Sequence, residues 1–388
     1  MVVKIVSARA VVVGNPWKNW VFVILETDEG IQGLGEATGG LSTKPIESWL
    51  EELSPLYIGH DPREVQVVLD SLVKGLFLGR NPAVTGVELA CWDILGKALG
   101  VPVWRLLGGR ADLTVPLYAN GWYQGPRDAS FFAERAVEVV ALGYRALKFD
   151  PFGEAYGDLP PREMRRSLAI VRAVREAVGE EIELLIEAHD RFHLGTALQV
   201  GRALADFDVG WLEAPVASSD LGDLAAVAGR VPVPVAAGER TGSLEEFARL
   251  VRSGIAVAQP EVLRLGGFLP GVKAAALAEA ANLPVAPHNA QSPYLTVVNL
   301  HLAAVVANFK VLECFDQFLE PWCADLLSGH AELYEGQAKV PARPGFGLEL
   351  DESVAALHPY GKQNFLRLFQ PGWEWRNRPH DGEEVRSQ

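Results

Sequence analysis

Three glutamates, Glu187, Glu213 and Glu239, each close a short apolar run (ELLIE, VGWLE, PVAAGE), and 26 residues separate each from the next. Carboxylates brought together without a counter-charge repel one another and are driven toward their protonated forms; a divalent cation removes the conflict. Hard oxygen donors select Mg²⁺, with Mn²⁺ an acceptable substitute, over zinc. The rhythm continues: Glu261 follows Glu239 by 22 residues, His288 follows Glu261 by 27 and Glu313 follows His288 by 25, each again at the end of an apolar run. Lys148 ends RALK, 39 residues ahead of Glu187. A carboxylate placed beside an imidazole, as Glu261 and His288 could be, orients the ring and favours its protonated form. His189 stands two residues past Glu187, where strand alternation points it to the same side.

One chemically able residue per repeat calls for a scaffold that gathers strand ends. From about residue 113 short apolar strands (PLYANG, RALKFD, ELLIEAHD, VGWLEAP, PVAAGE, IAVAQPE, LPVAPH, FKVLECFD) alternate with amphipathic stretches such as FFAERAVEVVALG, REMRRSLAIVRAVREAVG and LPGVKAAALAEAA. Eight parallel strands with helices outside predict an α/β barrel, whose functional residues surround the carboxyl-end mouth. The longer interval after Lys148 leaves a loop, PFGEAYGDLPPRE, beside that mouth. Residues 1–112 read as an α+β capping domain: alternating β-branched runs broken by the turn Asp28-Glu29-Gly30, then helical periodicity in PIESWLEELSPLYIG, EVQVVLDSLVKGL and PAVTGVELACWDILGKALG, the last stopping at Gly100. The barrel is assigned to 113–340, and 341–388 is expected to return to the cap, with the aromatic PGWEWRNRPH packing there and DGEEVRSQ loose.

Composition narrows the partners. The chain has 388 residues, 49 acidic against 35 basic, a net charge of −14. That argues against non-specific binding to nucleic acid or an anionic membrane, which needs a basic footprint, while a local cation still admits a small anionic substrate. Three scattered cysteines and the absence of a leader-like or membrane-spanning run fit a cytoplasmic protein. The glycine pairs form no nucleotide loop, although Gly266-Gly267 is placed to bring backbone near a substrate.

The order and spacing of these residues, together with WDILGKALGVPVWRLLGG, resemble the enolase superfamily, in its mandelate racemase/muconate lactonizing enzyme-like branch, along roughly the whole chain. The resemblance implies a modified TIM barrel, (β/α)7β, with an N-terminal α+β cap completed by the C-terminal tail, and usually a homo-oligomer. It implies that Glu187, Glu213 and Glu239 hold Mg²⁺, that a proton alpha to a carboxylate is removed, and that the enediolate is stabilised electrostatically. His288 falls at the family's base position. Glu261 falls where the family has Asp, one methylene shorter. Lys148-Phe149-Asp150 lacks the second lysine of the racemases' Lys-x-Lys, so a two-base racemase is disfavoured. Lys148 is left to hold the substrate carboxylate, with Asp150 as a substrate contact. Glu187-Ala188-His189 matches the spacing of acid-sugar dehydratases of the galactonate and gluconate type, in which that histidine protonates the departing 3-hydroxyl; Arg191 falls where such sequences place a polar contact. Glu313 falls at the family's strand-end Glu, which hydrogen-bonds the substrate carboxylate as charge builds; in its protonated form it could donate to the enediolate oxygen.

Specificity is expected from two cap loops: GNPWKNW, with Trp17, Lys18 and Asn19, and ATGGLSTKP, with Thr43 and Lys44. Their polar groups suit a polyhydroxylated chain. The expected activity is therefore a Mg²⁺-dependent hydro-lyase converting an aldonate or aldarate to a 2-keto-3-deoxy acid. An epimerase or cycloisomerase on the same scaffold, or a non-catalytic metal-binding barrel, stays open on the sequence.

Overall fold

A computed structural model describes residues 3–74 and 81–375. The expectations for RNRPH and DGEEVRSQ, and for the end of the second cap helix, fall outside those residues.

The cap opens with an antiparallel sheet of β1 (Ile5–Asn15), β2 (Lys18–Thr27) and β3 (Gln32–Glu36), in that order. β2 is the middle strand and is buried over nearly its whole length, which is why its sequence is an unbroken apolar run. Helices α1 (Thr43–Glu52) and α2 (Val65–Lys74) each bury one face, through Ile46 and Leu50 and through Val65, Val68, Leu69 and Leu72. Helix α3 (Pro82–Leu99) is buried on most sides. Asn81 caps it by accepting from the Val84 N–H, and Gly100 ends it in the left-handed region at φ 67°. Glu88 on α3 accepts from the N–H groups of Phe268 and Leu269, tying the cap to the first turn of a barrel helix. Gly267, at φ 124°, is pressed against the Glu88 carboxyl. The Gly266-Gly267 pair therefore serves this docking and not a substrate.

A single turn, α4 (Val103–Leu106), leads into the barrel. There β4 (Thr114–Ala119), β5 (Ala146–Phe149), β6 (Glu183–Glu187), β7 (Val209–Glu213), β8 (Val235–Ala237) and β9 (Val257–Ala258) pair in parallel and in sequence. Val285 bridges Ala258 and Phe309, and β10 (Leu312–Cys314) pairs in parallel with β4 to close the ring. The seventh strand is thus reduced to a bridge. The crossovers carry α5 (Ala129–Ala141), α6 (Pro161–Val178), α7 (Leu194–Ala203), α8 (Leu221–Ala228), α9 (Leu244–Leu250), α10 (Val262–Leu265) with α11 (Phe268–Ala280), and α12 (Pro293–Val305). The fold is the (β/α)7β barrel with a capping domain. Among the described residues no helix is long and apolar enough to cross a membrane.

Inside the ring one residue from each strand, Tyr118, Ala146, Leu185, Trp211, Ala236, Val257, Ala286 and Val311, packs into a separate apolar layer. Strand side chains alternate, so the residue two positions on again faces inward. That next layer is Asn120, Lys148, Glu187, Glu213, Gly238, Gln259, His288 and Glu313. A period of two, applied to eight strands at once, sets the floor of the mouth.

After the barrel, a hairpin strand, Gln337–Lys339, pairs antiparallel with the start of β4. The chain then returns to the cap: Phe346 N–H donates to Asp93 of α3, the helical turn Glu352–Leu357 lies on β1, and Arg9 pairs with Glu352. The aromatic segment does not stay there. Trp373 is buried against the barrel loop at Gly153, and Phe369 packs at a tilt on Tyr156, which corrects the expectation that the segment packs on the cap.

Candidate active site

Glu187 and Glu213 reach the mouth as the last residues of β6 and β7. Glu239 arrives differently. Gly238 occupies the layer position, at φ 142°, where a Cβ would meet the Gln259 backbone at 2.8 Å; the turn it permits delivers the next side chain inward. One carboxylate oxygen from each of the three lies within 4.8 Å of the others, and all three residues are buried. Lys148 reaches into the same space, 3.2 Å from Glu187, 2.8 Å from Glu313 and in contact with Glu213, with its ammonium 5.5 Å over the Tyr118 ring.

One ammonium faces four buried carboxylates. Burial and mutual repulsion push Glu213 far above the usual carboxylate range, and burial raises Glu187 despite Lys148. Burial likewise disfavours ionised Glu239, but His288, His189, Arg240 and Lys148 outweigh it and hold the group at about 2. Three convergent hard oxygens with surplus negative charge fit a divalent cation, and no nitrogen or sulfur donor completes a zinc-type set among the described residues.

One side of the mouth is built around His288, which ends VAPH. Its Nδ1 donates to Glu261 Oε2 at 2.5 Å, and its Nε2 faces the mouth, 3.2 Å from Glu239. The extra methylene of Glu261 is accommodated: its second oxygen accepts from Gln291 Nε2 at 3.1 Å, so both oxygens are fixed. Burial favours neutral imidazole, yet Glu239, Glu261 and Glu313 raise His288 to about 9. The carboxylate that raises it most, Glu239, is one that a cation would neutralise. Glu313 accepts from Lys148, from Asn120 Nδ2 at 2.7 Å and from the Asn289 N–H at 2.7 Å. Although burial opposes its charge, Lys148 and His288 hold it ionised, at about 2. The Lys148 ammonium, the Asn120 amide and the Asn289 N–H all donate to it, which favours its ionised form.

The other side of the mouth holds His189. It does not point inward by strand alternation, since β6 ends at Glu187 and His189 and Asp190 lie in the left-handed region at φ 51° and 57°. Its N–H donates to Glu187 Oε1 at 2.7 Å, and its Nδ1 donates to Asp150 Oδ2 at 2.7 Å. Asp150 also accepts from Arg191 and from the Phe152 N–H. Arg191 is fully buried and donates further to the carbonyls of Ala188, Gly153 and Ala155. Asp150 and Arg191 are therefore supports of His189 and not substrate contacts: neither has a free face. The mouth thus carries two imidazole–carboxylate pairs, His288–Glu261 and His189–Asp150, flanking the three glutamates.

A cavity of about 540 Å³ continues past His189, lined among others by Tyr156, Ser218, Arg240, Thr241 and Phe369. Arg240 pairs with Asp190 at 2.6 Å and lies 3.4 Å from Glu239, and Ser218 donates to Asp190.

The cap loops divide. Lys18 Nζ donates to Ala290 O at 2.7 Å and Gln291 Oε1 at 2.8 Å, joining the His288–Glu261 pair through Gln291, and Trp17 packs on Phe315. Asn19 is turned away; its amide binds Gly361 O and its carbonyl accepts from the Gly361 N–H. Thr43 is buried at the start of α1, and exposed Lys44 pairs with Glu47 and covers Tyr360. These three are corrected from substrate contacts to parts of the cap and tail. Asn120, Gln291 and Trp373 escaped sequence reasoning. Asn120 ends the first barrel strand as the other site residues end theirs, so the same rule would have found it; Trp373 has no local signal.

Comparison with known proteins follows the same outline. Residues 132–354 match the family described as enolase C-terminal domain-like, and residues 10–108 match the mandelate racemase/muconate lactonizing enzyme N-terminal domain. The chain is 34% identical over 345 residues to a D-gluconate dehydratase of Thermoproteus tenax, covering 87% of this chain and 69% of that one. It is 31% identical over 367 residues to a D-gluconate/D-galactonate dehydratase of Picrophilus torridus, covering 92% and 93%. A crystal structure described as a mandelate racemase/muconate lactonizing enzyme from Sulfitobacter sp. superposes with a TM-score of 0.86 at 32% identity, covering 92% of this chain and 96% of that one. One described as mandelate racemase/muconate lactonizing enzyme-like, from Roseovarius sp. TM1035, superposes at 0.87 and 31%, covering 95% and 98%.

Proposed function

The chain belongs to the mandelate racemase/muconate lactonizing enzyme family of the enolase superfamily, and from that premise we propose that it is a hydro-lyase acting on a sugar acid, an aldonate, with Mg²⁺ held by Glu187, Glu213 and Glu239. The single observation that carries the reading is the second imidazole–carboxylate pair. Proton abstraction needs one base; loss of a hydroxyl needs in addition an acid, and His189–Asp150 supplies it opposite His288–Glu261.

When bound, the cation withdraws charge from the substrate carboxylate and makes the C2 proton removable. His288 Nε2 takes that proton as the C2–H bond breaks, its ring held by Glu261 through Nδ1. Lys148 and Asn120 fix Glu313 and keep the wall beside the developing charge polar. His189 Nε2 gives a proton to the 3-hydroxyl as the C3–O bond breaks, and water leaves. The resulting enol takes a proton at C3 and loses its 2-hydroxyl proton, giving the 2-keto-3-deoxy acid. Cap residues Trp17 and Lys18 close the base side, and the cavity past His189 has room for the rest of a hydroxylated chain. Relatives named as gluconate, galactonate and xylonate dehydratases support an aldonate over a diacid. Three free buried cysteines fit a reducing compartment.

Incubation of the Mg²⁺-loaded protein with a panel of pentonates, hexonates and aldarates, with semicarbazide detection of keto acid and NMR identification of product, tests this. Keto acid from an aldonate, abolished by chelation, is expected. Epimerised substrate without keto acid would replace the hydro-lyase with an epimerase.

A further inference from the structure

Five contacts close a ring around His189. Its Nδ1 binds Asp150; Asp150 binds the Arg191 guanidinium; Arg191 Nη1 donates to Gly153 O at 2.7 Å; the Trp373 indole N–H donates to the same Gly153 O at 3.0 Å; and the Trp373 ring meets the His189 ring edge to face, centroids 5.5 Å apart at 88°. Trp373 is only 4% exposed. It comes from the far end of the chain, on a segment that also supplies Phe369, whose ring lies 4.6 Å from the Arg191 guanidinium and lines the cavity beside His189. Phe369 sits at φ 67°, an unfavourable conformation for an aromatic residue, held where its ring contacts both Tyr156 and Arg191. The same segment is anchored to the cap, where Asn19 donates to Asn364 O and Lys18 bridges to Phe365.

A ring of this kind matters because His189 lies past the end of its strand. The N–H groups of His189 and Asp190 are held by Glu187 Oε1 and Ala214 O, which fixes the left-handed backbone but leaves the imidazole free to turn about its own side-chain bonds. Asp150 fixes one ring nitrogen but leaves rotation about that hydrogen bond. The Trp373 ring, packed perpendicular to the imidazole, restricts that rotation and shields that side from water.

We propose that Trp373 is a positioning residue for the acid half-reaction: the C-terminal segment sets the aim of His189 and the placement of the 151–157 loop, without acting on the metal or the base. The inference rests on the reading of His189 as the acid. Its signature is a split between two steps that share one substrate. Trp373→Ala, in D₂O with Mg²⁺ and the aldonate that turns over, is expected to lower keto-acid formation about 30-fold, the scale of a misaimed catalytic group. Deuterium entry at C2 of recovered substrate should stay within about twofold, because His288 and Glu261 are untouched. KM should change little while kcat falls. Trp373→Phe keeps an aromatic ring against the imidazole but loses the indole N–H and part of the ring surface, and is expected to restore dehydration to within about fivefold of the natural protein.

Parallel loss of exchange and dehydration in a folded Trp373→Ala protein would overturn the proposal, as would undiminished dehydration. If Trp373→Ala fails to fold, Trp373→Phe and Trp373→Leu carry the test: dehydration equal in both overturns it, and a selective deficit in Leu supports it. His189→Asn run alongside separates the premises. Dehydration surviving in His189→Asn removes the acid assignment itself; dehydration lost there but intact in Trp373→Ala removes only the role of Trp373.

Discussion

Asp150→Asn isolates the acid side with almost no change of shape. In the native site the Asp150 carboxylate binds His189 Nδ1 at 2.7 Å, the Phe152 N–H at 2.8 Å and the Arg191 guanidinium, all shielded from water. A hydrogen bond to a charged group contributes about 1.5–3 kcal/mol and a neutral one about 1. Replacing carboxylate by amide thus removes about 0.5–2 kcal/mol from the force that orients His189, which at 1.4 kcal/mol per decade is roughly a 2–30-fold loss in dehydration. The same change leaves the Arg191 guanidinium facing three carbonyls and no carboxylate, and a stranded buried charge costs about 3 kcal/mol of stability. The two effects are separable. Asp150→Asn/Arg191→Met deletes the stranded charge and should recover most of the urea midpoint while dehydration stays impaired. The assay is ¹H NMR in D₂O, following C2 exchange and keto-acid formation together. Exchange near the natural rate with slowed dehydration is expected. If both decline equally, or if the double variant recovers dehydration along with stability, Asp150 is a fold residue and the acid pair is wrongly drawn.

On the base side, Glu261→Asp withdraws the carboxylate from His288 and Gln291, which it now reaches together; exchange and dehydration should fall in step, about tenfold, with divalent-ion affinity unchanged in calorimetry. Unequal loss of the two would contradict a base role. Glu36, buried between the cap sheet and Ser292 at the start of α12, gives a pH prediction independent of the metal centre. Burial lifts it to about 7, so from about pH 4.5 to 7 the folded chain retains a proton that the unfolded chain has lost, and stability falls as pH rises across that window, by roughly 3 kcal/mol in all. Urea midpoints from pH 4.5 to 8 should fall less in Glu36→Gln than in the natural protein, and identical slopes would refute the assignment.

What was legible in the sequence and what was not divides along physical lines. A strand's period of two is local, so Lys148, Glu187, Glu213, His288 and Glu313 announce themselves, each two residues beyond an apolar position that fills the barrel. Glu239 was found although its route inward depends on Gly238. Loop residues carry no such phase. Asn19, Thr43 and Lys44 have the right chemistry, but whether a loop faces the mouth or the returning tail is decided by distant contacts such as Asn19 with Gly361. Asp150 and Arg191 were placed near the site and misread, because pairing between neighbouring strand ends is a tertiary fact. Helix α12 has no amphipathic stripe to detect, being buried along almost its entire length between barrel and cap. Trp373 lies 184 residues beyond His189, and no local pattern links them.

The most direct measurement is anomalous diffraction from crystals of the inert His288→Asn variant soaked with Mn²⁺ and an aldonate. The account predicts one strong peak among the carboxylates of Glu187, Glu213 and Glu239, with C2 of the sugar toward residue 288 and the 3-hydroxyl within hydrogen-bond reach of His189 Nε2. A peak elsewhere, or a 3-hydroxyl directed away from His189, would contradict it.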